Sequence, residues 1–543
     1  MQKPTQNFGE VFTKRWAVDL ILDLVGYTAD KPLTTLTLVE PAIGSGAFLR
    51  PIVERLLDSQ HGTLAPAVDL MPAISAFDIQ PAHVATCRRI VVEMLTSAGY
   101  SVEDAHTVSE AWVRCADFLL DEVPTQADFV VGNPPYIRND DIPAEMQMLY
   151  RSHWSTMRGR CDIYVGFFER GLRLLKPNGK LGFICADRWM RNAYGKSLRS
   201  LVATSYAMEA VLTMHDVDAF DSMVSAYPAI TVLANKTQEQ AVVVETTESF
   251  GPTSAEDFLA FYHSPEGRHQ GNGWKGTRLP SWFETDDFWP TGDPDAIALL
   301  EYLQENFLTL ESDGATTIGI GVATGADKAY LVDVQASEDI EPSRLLPIVM
   351  ANDIRSGTLG ATKKLLVNPW DENGVLVNID DYPRMKAHLL SSDKVQSRFV
   401  AKKNPKQWHR TIDKVKPGLA ASPKLLLQDM KARITPVLEP GGLYPHHNLY
   451  YITSSTWDLE VLAGILLSDL AEMFIRSYAV TMRGGTLRFQ AQYLRKIAVP
   501  APASIGPETA KKLKLAFRNS DRTLATEAAF EAYDLPHEFR WMA

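Results

Sequence analysis

Apolar positions along roughly the first 235 residues follow two alternating rhythms. From Trp16 to Val25 and again from Phe48 to Leu57 they recur with helical spacing, which predicts two helices with one buried face each. Thr37–Glu40 is a short apolar run that ends at a Gly-rich turn, and further runs at Ala73–Ile79, Asp128–Gly132, Lys180–Cys185 and Ile230–Leu233 predict strands. The segment LLKPNGK at 174–180 supplies a turn into one of them. Strands that alternate with helices predict a mostly parallel sheet with crossover helices, so residues 1–240 are expected to form a Rossmann-like α/β domain. The rhythm breaks after Ala234, and the stretch rich in Glu, Asp, Gly, Pro and Trp that follows is expected to be an inter-domain connection over 241–315. Mixed short strands and helices then predict an α+β domain over 316–543, with a charged amphipathic helical tail from Pro507. No fixed-period repeat or low-complexity tract interrupts this plan.

A chain of 543 residues exceeds what one core usually organises, in keeping with two domains. Its 45% hydrophobic and 22% charged residues are ordinary for a folded soluble protein. The opening MQKPTQNFGE has no basic stretch leading into an apolar one, and no apolar run approaches the roughly 20 residues that cross a bilayer. A cytoplasmic protein without membrane partners is therefore expected. Cys87, Cys115, Cys161 and Cys185 form no CxxC pair, which argues against both disulfides and a cysteine zinc site, and no metal site is expected. The net charge of -12 does not look like that of a nucleic-acid binder, yet between Arg398 and Arg433 ten basic side chains face only two acidic ones, a local charge of +8. That segment includes Lys402, Lys403, Lys406 and Arg410 around Trp408 and His409, a composition suited to phosphate contacts. Arg188, Arg191, Lys196 and Arg199 form a second basic group.

The strongest chemical signal is Asn133-Pro134-Pro135-Tyr136, directly after the apolar strand ending at Gly132, where α/β sheets place ligands. An amine attached to an aromatic ring is a weak nucleophile because its lone pair is delocalised. The Asn133 side-chain carbonyl and the Pro134 backbone carbonyl can accept its two protons and leave nitrogen density facing an electrophile. Two prolines keep the turn stiff, and Tyr136 offers a ring on which a base can stack. Upstream, Glu40-Pro41-Ala42-Ile43-Gly44-Ser45-Gly46-Ala47-Phe48 is a strand–turn–helix junction whose small residues admit a ligand close to the backbone. It does not fit the dinucleotide pattern G-x-G-x-x-G, because Leu49 stands at the final glycine's place. Asp78 in AFDIQ is placed to hold both hydroxyls of a ribose, and Asp117 with Phe118 in CADFLL could bond and cover an adenine ring.

In this order, FTKRWAVDLILDLV, EPAIGSGAF, FDIQ, ADFL and NPPY resemble the Taq-type, gamma-class adenine-N6 DNA methyltransferases of restriction–modification systems. The resemblance implies S-adenosylmethionine as cofactor, held by Thr13, Glu40, Ala42, Gly44, Asp78, Asp117 and Phe118, with Asn133, Pro134, Pro135 and Tyr136 facing a flipped adenine. Phe220, in DAFDSMVSAYPAITVL, is similar to the aromatic residue that covers the other face of that base. GIGVATGADKAYLV (319–332), LPIVMANDI (346–354), YPRMKAHL and TLRFQAQYLRKIAVPAP (486–502) look like the family's C-terminal target-recognition domain. The implied partner is double-stranded DNA, gripped by Arg188, Arg191, Lys196, Lys402, Lys403, Lys406 and Arg410, with a separate cognate restriction endonuclease as a further partner and a monomer as the working state.

Methylation at cytosine carbon-5 needs a cysteine nucleophile, typically in a Pro-Cys pair, and no cysteine here follows a proline. The exocyclic nitrogen of cytosine, an RNA base or a protein glutamine amide presents the same planar nitrogen and remains an alternative target. No nuclease cluster is apparent after Pro502, so methylation without cleavage is expected.

Overall fold

The computed structural model describes residues 12–539 apart from 124–125, 222–226, 285, 291, 432, 479–486, 489–490 and 537–538. It divides into two compact units, Met1–Ala298 and Leu299–Ala543, with the boundary inside the helix Pro294–Asn306.

The first unit is built on a ten-stranded sheet. Its strands are β1 (Leu38–Glu40), β2 (Ile74–Asp78), β3 (Val113–Cys115), β4 (Ala127–Gly132), β5 (Leu175–Ala186), β6 (Ala207–Thr213), β7 (Pro228–Ala234), β8 (Ala241–Thr246), β9 (Arg268–Gly271) and β10 (Trp274–Leu279). They lie in the order β3-β2-β1-β4-β5-β7-β6-β8-β10-β9. The first five are parallel, and only β7 and β10 run against the rest.

Alternation along each strand fills two cores, one on each face. Leu38, Phe129 and Val131 join the helices Arg15–Val25, Leu49–Asp58, Pro81–Ala98 and Val102–Trp112, whereas Val39, Val130 and Phe77 join Tyr164–Leu174 on the opposite face. Each buried Val, Leu or Phe contributes on the order of 1.5–3 kcal/mol, so the parallel half is a rigid platform.

The helices and strands expected around residues 16–25, 37–40, 48–57, 73–79, 128–132, 180–185 and 230–233 are present, several with longer ends. The connection expected over 241–315 is different. Residues 241–279 supply β8, β9 and β10 to the sheet, and the helix Pro252–His263 packs Phe258 and Phe261 into the same core as the helix Arg15–Val25. β8 is buried on both faces, so AVVVET shows a continuous apolar run rather than an alternating one. β9 and β10 are joined by the two residues Asn272-Gly273, a hairpin signal present in the sequence and passed over.

The second unit holds two four-stranded sheets. One orders Thr316–Ile320, Leu449–Ser454, Lys424–Gln428 and Val437–Glu439 in antiparallel fashion; the other orders Leu331–Asp333, Lys364–Val367, Leu345–Val349 and Tyr444–Pro445. Helices Leu459–Leu467, Pro507–Asn519 and Arg522–Tyr533 pack together beside them. Part of the stretch 486–502 lies outside the described residues. Among the described residues no helix is long and apolar enough to cross a membrane.

Candidate active site

Because β1, β2, β3 and β4 are parallel, the residues at their carboxyl ends meet at one edge of the sheet: Glu40, Asp78, Asp117 and Asn133. β1 lies between β2 and β4, the point where strand order reverses and where open sheets leave a crevice. A cleft occupies that crevice, and its walls include Thr13, Glu40, Ala42, Gly44, Asp78, Asp117, Phe118, Asn133, Pro134, Pro135 and Tyr136. The cleft thus brings these sequence-marked residues together, and Phe12, Gln80, His83, Tyr150 and Phe167, which no motif marks, also line it.

Gly44 has φ +52°, a left-handed conformation that lets its N–H turn to the Asp78 carboxylate at 2.9 Å. The other Asp78 oxygen accepts the Gln80 N–H at 2.8 Å, and His83 Nδ1 lies 3.3 Å from the first. These bonds fix the carboxylate while leaving lone pairs for a ligand hydroxyl. Asp117 accepts from Leu119 N–H at 2.8 Å and from the Tyr150 hydroxyl at 2.7 Å. The buried Phe118 ring is held by Phe77 and Phe167, with centroids 5.7 and 5.3 Å away, and the Arg170 guanidinium lies over it at 5.0 Å.

Glu40 is the most demanding group. It is 1% exposed, and neither carboxylate oxygen has a hydrogen-bond partner among the described residues. Burial, reinforced by the nearby Asp78, pushes its carboxyl well above the usual carboxylate range. A buried acid without partners calls for a cation or a hydroxyl donor from a ligand.

Asn133 is oriented from its nitrogen end. Its Nδ2 donates to Thr13 Oγ1 at 3.2 Å, so the side-chain carbonyl is the end it can offer to a substrate. Thr13 is itself fixed by an isolated antiparallel bridge to Phe220, flanked by Lys14 N–H to Ala219 O at 2.9 Å and Asp221 N–H to Phe12 O at 3.0 Å. Phe220 thereby sits beside the site through its backbone. Its ring, 7% exposed, packs in the hydrophobic core and is not part of the cleft wall. The Tyr136 hydroxyl is buried with no partner among the described residues, and burial drives its phenol well upward, so it stays neutral.

The basic residues expected on DNA separate into two groups. Arg191 is a correction: it is 5% exposed, and its guanidinium is paired with the buried Asp187 at 2.7 Å, so it is unavailable to phosphate. Arg199 is likewise buried, donating to the carbonyls of Trp189, Asn192 and Asp286. Arg188 is half-buried over the Tyr227 ring, and Lys196 is exposed near Asp286. In the second unit Lys402, Lys403 and Lys406 are exposed on the short helix Phe399–Lys403 and the turn Pro405–Gln407, while Arg410 lies over Trp370. The +8 segment overstated its surface charge, since Lys424 is buried against Glu439 and Arg398 is buried against the Thr324 and Trp408 carbonyls.

A sheet edge that gathers three acids, a Gly-rich turn and a stiff Asn-Pro-Pro-Tyr turn around one cleft defines a methyltransferase of the S-adenosylmethionine-dependent class. Residues 102–220, which carry Asp117 and the Asn133 turn, match the family described as Eco57I restriction-modification methylase. The chain is 40% identical to the Type II methyltransferase M.XhoI of Xanthomonas vasicola over 97% of both chains. It is 41% identical to the Type II methyltransferase M.PaeR7I of Pseudomonas aeruginosa, over 98% of this chain and 92% of that one. Among solved structures, the Type IIL restriction-modification enzyme MmeI in complex with DNA matches 96% of this chain and 74% of its own, with a TM-score of 0.53 and 11% identity, a likeness of fold alone. The chain belongs to the Type II methyltransferases.

S-adenosylmethionine is the cofactor, and the cleft fits it: the partnerless buried Glu40 answers a ligand that carries positive charge. This makes binding pH-dependent. Burial favours the protonated form of Glu40 in the free protein, a cationic ligand favours the ionised form, and so binding should release protons. Affinity should rise with pH by up to about tenfold per unit. Calorimetry in buffers of different ionisation enthalpy should record that release, and Glu40→Gln should remove it.

Proposed function

We propose that the protein methylates the exocyclic N6 of an adenine rotated out of duplex DNA at a specific site. The observation that carries this reading is the placement of Asn133 at the end of β4, in the same cleft as Asp78 and Asp117 and pinned by its amide nitrogen to Thr13. Bound there, S-adenosylmethionine supplies an activated methyl group.

The remaining work falls to the chain. Asn133 Oδ1 and the Pro134 carbonyl accept the two N–H groups of the adenine amine and turn its lone pair toward the methyl donor. Pro134 and Pro135 fix these acceptors in advance, so little reorganisation is needed when the base arrives. Tyr136 stacks on the base, and Phe220 supports the site from behind Thr13. The methyl group would leave the sulfonium sulfur as its carbon–sulfur bond breaks, releasing a neutral thioether, and the surplus proton of the amine passes to solvent.

Residues 316–543 are proposed as the target-recognition domain. Lys402, Lys403, Lys406 and Arg410, with Arg188 and Lys196 from the first unit, are the proposed phosphate contacts. Replacing Lys402, Lys403 and Lys406 together with alanine should weaken binding across all sequences and lower the slope of log K against log salt by about 2–3. An unchanged slope would remove this segment from the footprint. A separate cognate restriction endonuclease, a monomeric working state and a cytoplasmic location complete the proposal.

The reading is tested by expression in a host without adenine methylation, followed by single-molecule mapping of modified bases. One recurring motif with methylated adenine is expected. An unmodified genome alongside methylated cellular protein would favour the glutamine amide instead.

A further inference from the structure

We propose that the second unit binds one divalent transition-metal ion of the zinc class through Asp327, His446 and His447. Asp327 follows the turn that leaves the strand Thr316–Ile320, and the two histidines lie between Tyr444–Pro445 and Leu449–Ser454. Asp327 Oδ2 is 3.2 Å from His446 Nε2, which is 3.0 Å from His447 Nδ1, and one donor atom from each residue lies within 4.8 Å of the others. Tetrahedral zinc with bonds of about 2.0–2.1 Å to nitrogen sets its donors about 3.3 Å apart. Two of the three edges are therefore nearly right, and the third closes by a small swing of the Asp327 side chain, which is 42% exposed.

Proton placement supports an ion at the centre. His446 Nε2 holds either a proton or a lone pair, and it faces both other groups. With a proton it must divide one donor between two acceptors; without one, its lone pair opposes the Asp327 carboxylate. A cation receives all three lone pairs together. Two imidazoles and one carboxylate select zinc, cobalt or nickel over magnesium or calcium, and three protein ligands leave a fourth position for water.

The surrounding backbone is built to hold the ligands in place. His447 N–H bonds to Val322 O at 3.1 Å, Val322 N–H to Pro445 O at 2.9 Å, and His446 N–H to Val349 O at 3.1 Å. This approach requires glycine at 321, where a Cβ would lie 2.2 Å from the Pro445 carbonyl oxygen. Thr324 Oγ1 donates to the other Asp327 oxygen and orients the carboxylate.

The test uses full-length protein stripped by a chelator and titrated with cobalt near neutral pH. One equivalent per chain is expected, with the intense visible bands of a four-coordinate ion, displaced by zinc and not by excess magnesium. Asp327→Asn and His447→Gln, chosen at partly exposed positions, should each weaken binding at least about tenfold while far-ultraviolet circular dichroism remains that of the wild type. No bound cobalt, or the same spectrum and affinity in both variants, would overturn the proposal.

Discussion

Replacing Asn133 with alanine is expected to lower the turnover number by at least about a hundredfold while S-adenosylmethionine affinity stays within a few-fold of wild type. The reason lies in the division of the cleft. The proposed cofactor residues Glu40, Asp78 and Asp117 stand on β1, β2 and the turn after β3, whereas Asn133 ends β4 and its amide nitrogen is tied to Thr13. Removing one preorganised hydrogen-bonding group at a reacting centre costs about 2.7–4 kcal/mol of barrier, or about 10²–10³ in rate. Thr13→Val separates positioning from chemistry. It removes the pin at Nδ2 but leaves the Asn133 carbonyl present, so it should lose less than Asn133→Ala. Stopped single-turnover kinetics with saturating cofactor and duplex would measure both. Equal losses in the two variants would mean that Asn133 acts only through Thr13.

Arg191→Ala should destabilise the first unit by about 3–5 kcal/mol, the usual penalty for stranding a buried charge. Asp187 is fully buried, and its carboxylate is gripped by Arg191 at 2.7 Å and by His215 at 2.9 Å. Burial alone would raise its pKa, but the Arg191 guanidinium and then His215 outweigh that and hold it at about 2, against 3.8 for a free aspartate. Because the folded value is the lower one, the stabilisation is complete above about pH 4 and fades as pH falls toward 2. A phosphate-binding arginine would behave otherwise: its loss would weaken DNA binding and spare folding. Denaturant unfolding of Arg191→Ala against the double variant Asp187→Asn, Arg191→Met distinguishes these roles, since removing both charges should recover much of the stability.

That contrast also marks what the sequence could convey. The polar residues at the carboxyl ends of the parallel strands were readable because each followed a local apolar run: Glu40 after LTLV, Asp78 after ISAF, Asn133 after ADFVVG. Partners distant along the chain left no such trace. Tyr150 reaches Asp117 across 33 residues from a helix with no motif of its own, and Thr13 meets Asn133 across 120. Surface charge was misread for the same reason, because the acids that bury Lys424 and Arg191 are identified only by packing. In the Asp327, His446 and His447 cluster the aspartate and the first histidine are 119 residues apart, a spacing that marks no metal site in a single sequence.

The proposed reaction is delivery of a methyl group to an adenine amine in the cleft that joins the Asn133 turn and the three acids. Its most direct test is mass spectrometry of nucleosides from unmethylated genomic DNA incubated with the protein and isotope-labelled S-adenosylmethionine. Label in N6-methyl-2′-deoxyadenosine for the wild type, with at least about a hundredfold less for Asn133→Ala, is the predicted result. Label in N4-methyl-2′-deoxycytidine, or equal labelling by the two proteins, would contradict it.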